Sequence, residues 1–226
     1  DPIPSRGLGD VYKRQSYSHI CLGVVQMLNL RSLELHIHCD PETLDLMRNQ
    51  QGACVATLHS ACYEAVPLAV ARVTNNSTTL SNIPPYLEFA QKLYHEANIR
   101  CLNKIQNGAF VSLLKAANEV QNIVLHSDHF AQDIEVNFFN YQTQAPSGIA
   151  MLSAMAQKPI IIGYARYDKD YNCHVHFETF STTACAKQPK AMQETMQRLY
   201  QRFEDLICQI RDCLLYTSDA ADDVEC

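Results

Sequence analysis

His59 and Glu64 stand five residues apart in the string H-S-A-C-Y-E, directly after the apolar run 53–58. An imidazole beside a carboxylate is a general base with its orienter. The carboxylate accepts one ring N–H, fixes the tautomer and stabilises the imidazolium. The other nitrogen is left to take a proton from a hydroxyl. On one continuous helix this spacing turns the two side chains about 140° apart. Across a strand–turn–helix junction they can converge.

The neighbouring elements must supply that junction. Residues 53–58 form an unbroken apolar run that fits a central strand buried on both faces. His59 then lies at the carboxyl end of a strand, the usual place for function in an open α/β sheet. A helix is expected from Ala61 or Cys62, with Pro67 tightening or kinking its first turn. Upstream, residues 16–30 read as a helix with Ile20, Val24, Met27 and Leu28 on one side. Residues 33–38 alternate as a short strand. Asp40 and Pro41 are an N-cap and a first helical position, opening a helix to about Asn49 that Gly52 closes.

Downstream, 74–82 reads as a polar loop ending at Pro84-Pro85. Helices are expected over 86–96 and 109–117, and strands over 99–102 and 123–125. The last strand leads into His126-Ser127-Asp128-His129. A helix over 147–156 carries Gly148 in its first turn. Strands 159–164 and 173–177 form a hairpin through the turn at Tyr167-Asp168-Lys169-Asp170. A long amphipathic helix over 190–211 buries Met192, Met196, Leu199, Phe203, Leu206 and Ile210. Alternating strands and helices predict a single α/β domain, a mixed, mainly parallel sheet flanked by helices.

Composition narrows the function. The 226 residues carry a formal net charge of −6, which argues against a nucleic-acid binder while leaving room for a local basic patch facing anionic lipid. Ten cysteines without a C-x-x-C spacing read as small buried hydrophobes in a reducing compartment, not as a disulfide framework or zinc site. No stretch approaches the roughly 20 apolar residues needed to span a bilayer, which reads as a soluble or peripheral chain. There is no G-x-G-x-x-G or phosphate-binding G-x-x-x-x-G-K string. Residues 1–15 and 213–226 lack periodicity or shift abruptly in composition. They are expected to be non-native, leaving 16–212 as a domain that is itself a fragment.

Several blocks in order resemble the bacterial lipid A biosynthesis acyltransferases, the lauroyl and myristoyl transferases, over roughly residues 33–211. The H-x-x-x-x-D/E motif is matched by His59 and Glu64. A glycine and apolar strand precede it at 52–58. An aspartate follows a later strand at Asp128, then the pair Phe138-Phe139, the helix start Ser147-Gly148 and the strand KPIIIGYARY. The resemblance implies a glycerolipid-acyltransferase-type fold and transfer of a fatty acyl chain from a thioester of acyl carrier protein or coenzyme A to a hydroxyl of a membrane glycolipid or lysophospholipid. His59 would be the general base and Glu64 would hold it. Asp128, Ser147, Gly148, Phe138, Phe139, Lys92 and Arg166 are candidate substrate-binding residues. No metal, cofactor, covalent intermediate or nucleic-acid partner is implied. The implied location is the cytoplasmic face of the bacterial inner membrane, peripheral or through an anchor outside this fragment.

The match has departures. Ala61, Cys62 and Tyr63 replace the family's usual G-N-W, and Lys92, His95 and Asn98 stand where an arginine and glycine are common. They point to a divergent branch and leave open an acceptor other than lipid A. They also motivate a catalytically inactive lipid-binding scaffold as an alternative, and Cys62 beside His59 motivates a cysteine-dependent thioesterase. Other features have plainer readings. Asp128 can cap a turn, or order the site without doing chemistry. The two phenylalanines can be core. Ser147-Gly148 can be an ordinary N-cap, although a helix N-terminus also suits an anion. Arg166 and Lys169 face either headgroups or solvent. The pairs His36/His38 and His174/His176 could each bind a metal, but exposed-face histidines are the simpler reading.

Overall fold

Cys54, Val55, Ala56 and Thr57 are all fully buried, and they form the strand from which the site is built, β2 (Cys54–Thr57). It pairs in parallel with a strand on each side, so neither face meets water, and the apolar pattern, with a buried Thr57 at its end, follows. In this computed structural model the described residues are 18, 19, 21–83, 89–104, 108–119, 121–129 and 131–210. Sequence expectations for 1–15, for Pro84-Pro85, for the start of the 86–96 helix and for 213–226 lie outside them.

The elements run as follows: helix α1 (21–28), β1 (Leu35–Cys39), α2 (Pro41–Arg48), β2, α3 (Ala65–Thr74), β3 (Thr78–Ser81), α4 (Phe89–Glu96), β4 (Arg100–Asn103), α5 (Ala109–Asn118), β5 (Ile123–His126), β6 (Ile134–Phe138), β7 (Tyr141–Ala145), α6 (Gly148–Ala156), β8 (Ile160–Tyr167), β9 (Cys173–Ser181) and α7 (Pro189–Gln209). Seven strands form one sheet in the order β1-β9-β8-β2-β5-β3-β4. Only the β8–β9 pairing is antiparallel. The chain is therefore a single α/β domain with a mixed, mainly parallel sheet.

Local chemistry explains several boundaries. Asp40 caps α2 by accepting the Thr43 N–H at 2.9 Å, with Pro41 at the first position. Gly52 adopts φ +64, a left-handed turn that a side chain resists, and aims the chain into β2. Pro67 falls in the first turn of α3, where its missing N–H costs nothing, so no kink is required.

Two segments differ from the sequence reading. The stretch 74–82 contains β3, with Thr78 and Thr79 buried. Its threonines look polar in sequence but are β-branched, and Thr79 satisfies its hydroxyl on the Val124 carbonyl at 3.1 Å. Residues 134–145 form a separate antiparallel hairpin, β6–β7, turning at Phe139 (φ 49) and Asn140 (φ 65). Left-handed values at both central residues suit a two-residue hairpin turn.

Helices cover both faces. On one side α5, α6 and α7 pack over Cys54, Ala56, Ile160 and Ile162. Helix α7 contributes Met196, Leu199, Tyr200, Phe203 and Leu206. On the other, α3 lies over Val55, Ile161, Ala165 and Val175. Among the described residues no helix is long and apolar enough to cross a membrane.

Candidate active site

The partner of His59 is set by strand register. Cys54 pairs with Ile123 and Thr57 with His126, a constant offset between β2 and β5. The ladder continues beyond the strands, where the Ser127 N–H donates to the Thr57 carbonyl at 2.9 Å. The same offset carried two residues further brings His59 opposite Asp128. Asp128 then holds His59 twice. Its Oδ2 accepts the His59 backbone N–H at 2.7 Å, and its Oδ1 lies 2.7 Å from Nδ1. A carboxylate can only accept, so Nδ1 carries the proton and Nε2 is left as an acceptor. Burial alone pushes the Asp128 carboxyl up, but the hydrogen bonds and charge of His59 outweigh it and hold the group below the usual carboxylate range.

Glu64 makes no hydrogen bond to His59, where the motif leads one to expect it. Oε1 accepts the Tyr94 hydroxyl of α4, and Oε2 has no hydrogen-bond partner among the described residues. The physical reason lies in the turn. Ala61 takes a left-handed φ of 49, and α3 begins at Ala65 rather than at Ala61 or Cys62. Glu64 thus enters the helix facing inward, and is only 2% exposed. Burial pushes its carboxyl up to about 7, opposed by the Tyr94 bond and the His59 charge.

That shift predicts a pH signature. The folded value lies above the ordinary one of 4.5, so folding favours the protonated acid. Stability linked to Glu64 is fully present below about pH 4.5 and is lost as pH rises through 7. Glu64→Gln mimics the protonated group and removes the loss. Denaturant unfolding of both proteins at several pH values is expected to show the variant gaining on the parent by up to about 3 kcal/mol across this window. A constant difference would refute the assignment.

The loop is anchored on every side. Ser60 donates to the Ala165 carbonyl of β8 at 2.7 Å. α1 approaches so closely that a Cβ at Gly23 would lie 2.7 Å from the Ala61 carbonyl oxygen. Tyr200 of α7 donates to the Ser127 carbonyl at 2.9 Å, fixing the residue before Asp128. Rings crowd His59: His129, His126 and Tyr63 have centroids 3.9, 4.2 and 5.3 Å away. The string H-S-D-H was visible in sequence, but its two histidines, Tyr63, Tyr94 and Tyr200 carry no spacing signal that assigns them to the site.

The remaining candidates are scattered. Phe138 packs on Phe139 and, at 5.1 Å, on Tyr200, one residue removed from the Asp128 turn. Ser147 donates to Asp133 through both its N–H and its hydroxyl, each at 3.0 Å, and makes no side-chain cap to α6. Gly148 follows it at the start of α6, 3.6 Å from Leu125 were a Cβ added. Lys92 is exposed on α4, in a solvated pair with Glu96 at 3.7 Å. Arg166 is exposed on β8 and donates to His176 at 3.0 Å.

Cys62 is buried, and burial pushes its thiol far up, which disfavours the thiolate a cysteine nucleophile needs. The two H-x-H pairs meet across β1 and β9, because His36 registers with His174 and His38 with His176. Their rings stack, and their nitrogens bond to one another, to Arg166 and to Asp168. Among the described residues no group of three or more histidine, cysteine or acidic side chains is arranged to hold a metal ion.

Known proteins extend this picture. No curated protein matches the chain. A solved structure, the 1-acyl-sn-glycerophosphate acyltransferase PlsC from Thermotoga maritima, aligns over 92% of this chain and 84% of its own. Their identity is 9% and the TM-score is 0.46. The family model for bacterial lipid A biosynthesis acyltransferases matches residues 19–210, which takes in the His59–Asp128 pair and the elements that hold it. With its sheet, its motif and that match spanning most of its length, the chain belongs to the bacterial lipid A biosynthesis acyltransferase family.

Proposed function

We propose that this chain transfers a fatty acyl group from the thioester of acyl carrier protein or coenzyme A to a hydroxyl of a membrane glycolipid or lysophospholipid. His59 is the general base and Asp128 its orienter. The observation that carries this reading is the double hold of Asp128 on His59, through ring and backbone, which leaves Nε2 without a hydrogen bond among the described residues.

In the reaction His59 Nε2 takes the hydroxyl proton as the oxygen attacks the thioester carbonyl. The tetrahedral intermediate collapses to an ester and expels the thiolate. The thiolate then takes the proton from the imidazolium. General-base assistance supplies about 10²–10⁴-fold, and positioning of the two substrates supplies much of the remainder. The surface at which both substrates meet is proposed to be the cytoplasmic face of the inner membrane.

The test uses the whole chain with each thioester donor and a panel of glycolipid and lysophospholipid acceptors. Free thiol should be released one-for-one with ester formation, only when acceptor is present, and should persist after thiol alkylation of the protein. Thiol release without acceptor would indicate a thioesterase. No release with any donor would indicate an inactive binding scaffold.

A further inference from the structure

Away from the His59–Asp128 pair, the β1 edge of the sheet carries a cluster of imidazoles that acyl transfer does not use. β1 is an edge strand and pairs with β9 alone. Their parallel register sets His36 opposite His174 and His38 opposite His176, so the four rings share one face. On the other side of β9, β8 brings Arg166 opposite His174 and Tyr164 opposite His176. The rings stack. His36 lies on His174 with centroids 4.7 Å apart, His174 on His38 at 5.2 Å, His38 on His176 at 4.3 Å and His176 on Tyr164 at 5.2 Å. His36 and His38 are exposed, so protons reach the stack from solvent.

Three hydrogen bonds fix where the ring protons sit. Arg166 Nε can only donate and lies 3.0 Å from His176 Nε2, so that nitrogen is a bare acceptor and His176 is neutral. Asp168 Oδ2 accepts, 3.2 Å from His174 Nε2, so that nitrogen carries a proton. Asp168 is itself held by the Asp170 and Asn172 backbone N–H groups and the Asn172 amide, each at 2.9 Å. His174 Nδ1 and His38 Nε2 then share a single proton across 2.9 Å. One positive charge on this pair keeps the bond. A second sets N–H against N–H and breaks it. A proton on His176 Nε2 likewise displaces Arg166 and puts two cations side by side.

We propose that this ladder is a proton-sensitive clasp, which holds edge strand β1 on β9 near neutral pH and releases it in mild acid, when the stack takes up more than one proton. The groups facing it are Arg166 and Tyr164 of β8, Asp168 of the β8–β9 turn and Glu178, next along the same face of β9. Asp168 compensates one imidazolium, at His174. Glu178 is already matched by Arg202 of α7, at 2.6 and 2.7 Å. Further charge on the stack therefore goes uncompensated. Burial first, then the charges of His174, Arg166 and His36, push His38 down. Burial, then His38, Arg166 and His174, push His176 down to about 4. Folded values below the ordinary 6.5 mean that the linked stability is fully present above 6.5 and is lost as pH falls, for His176 through about 4. The clasp does not involve His59, so its test is independent of acyl transfer.

The experiment reads amide hydrogen exchange across 35–39 in β1 against 123–126 in β5, corrected for intrinsic exchange rates, with a metal chelator present throughout. The parent chain is compared with the double variant His38→Phe/His176→Phe, which keeps stacked rings but cannot charge them. Between about pH 7 and about pH 5, protection of β1 relative to β5 should fall about tenfold or more in the parent and stay flat in the variant. A flat ratio in the parent would overturn the proposal, as would equal loss in both strands, which is global unfolding. An undiminished fall in the variant would overturn it too. If the variant does not fold, titration of the parent's histidine ring protons by NMR decides the matter. His38 and His176 should then titrate below the ordinary 6.5, and ordinary titration of both would refute the clasp.

Discussion

Asp128→Asn is expected to lower kcat for acyl transfer by about 10²–10⁴-fold, as much as His59→Ala, while Glu64→Gln keeps most of the activity. The contrast follows from which carboxylate touches the imidazole. Asp128 accepts the Nδ1 proton at 2.7 Å and the His59 backbone N–H at the same distance. An asparagine in its place can turn its NH₂ toward Nδ1. His59 would then take the opposite tautomer and present Nε2–H, a donor where the reaction needs an acceptor. The loss should fall on kcat more than on KM, because the interaction grows as His59 becomes charged. Glu64 is bonded to Tyr94, and glutamine preserves that acceptor at the same length. Steady-state kinetics of the three variants decide the matter. A Glu64→Gln enzyme as impaired as Asp128→Asn would restore Glu64 to the role that the H-x-x-x-x-E spacing assigns it.

Phe203→Ala is expected to cost about 3–5 kcal/mol of folding stability, the range for truncating a fully buried aromatic side chain. Phe203 is 0% exposed on the inner face of α7, between Leu199, Tyr200 and Leu206 in the larger of the two main cores. Whole-domain stabilities are typically about 5–15 kcal/mol, so this one ring accounts for a large fraction. It also bears on function. Tyr200 sits one turn earlier on the same face and holds the Ser127 carbonyl beside Asp128. A loosened α7 therefore loosens the turn that presents Asp128. Denaturant midpoints measure the stability change, and a fall below about 1 kcal/mol would show that α7 can repack around the void.

Much of the scaffold was written locally. The run 53–58 is apolar but for the β-branched Thr57, the pattern of a strand with a neighbour on each side and both faces buried. The α2 cap at Asp40 and the apolar stripe of α7 are likewise properties of adjacent residues. So is the position of His59 just beyond a buried strand. These features depend on neighbours one to four residues away, and such spacing is what a sequence displays.

The identity of the acid partner is a different kind of fact. His59 and Glu64 are close in sequence, and that closeness suggested the pair. The turn at Ala61 and the late start of α3 send Glu64 inward to Tyr94. Asp128 arrives from 69 residues away because β5 pairs with β2 in one register and no other. β3 and the β6–β7 hairpin carry no local mark for a related reason. A threonine-rich strand or an isolated hairpin gains its stability from the partners it meets, as Thr79 does at the Val124 carbonyl. The sequence by itself determined the strand, the helices and the presence of a histidine at their junction. Only the folded sheet decided which carboxylate reaches it, because register between distant strands is a property of packing and leaves no local mark.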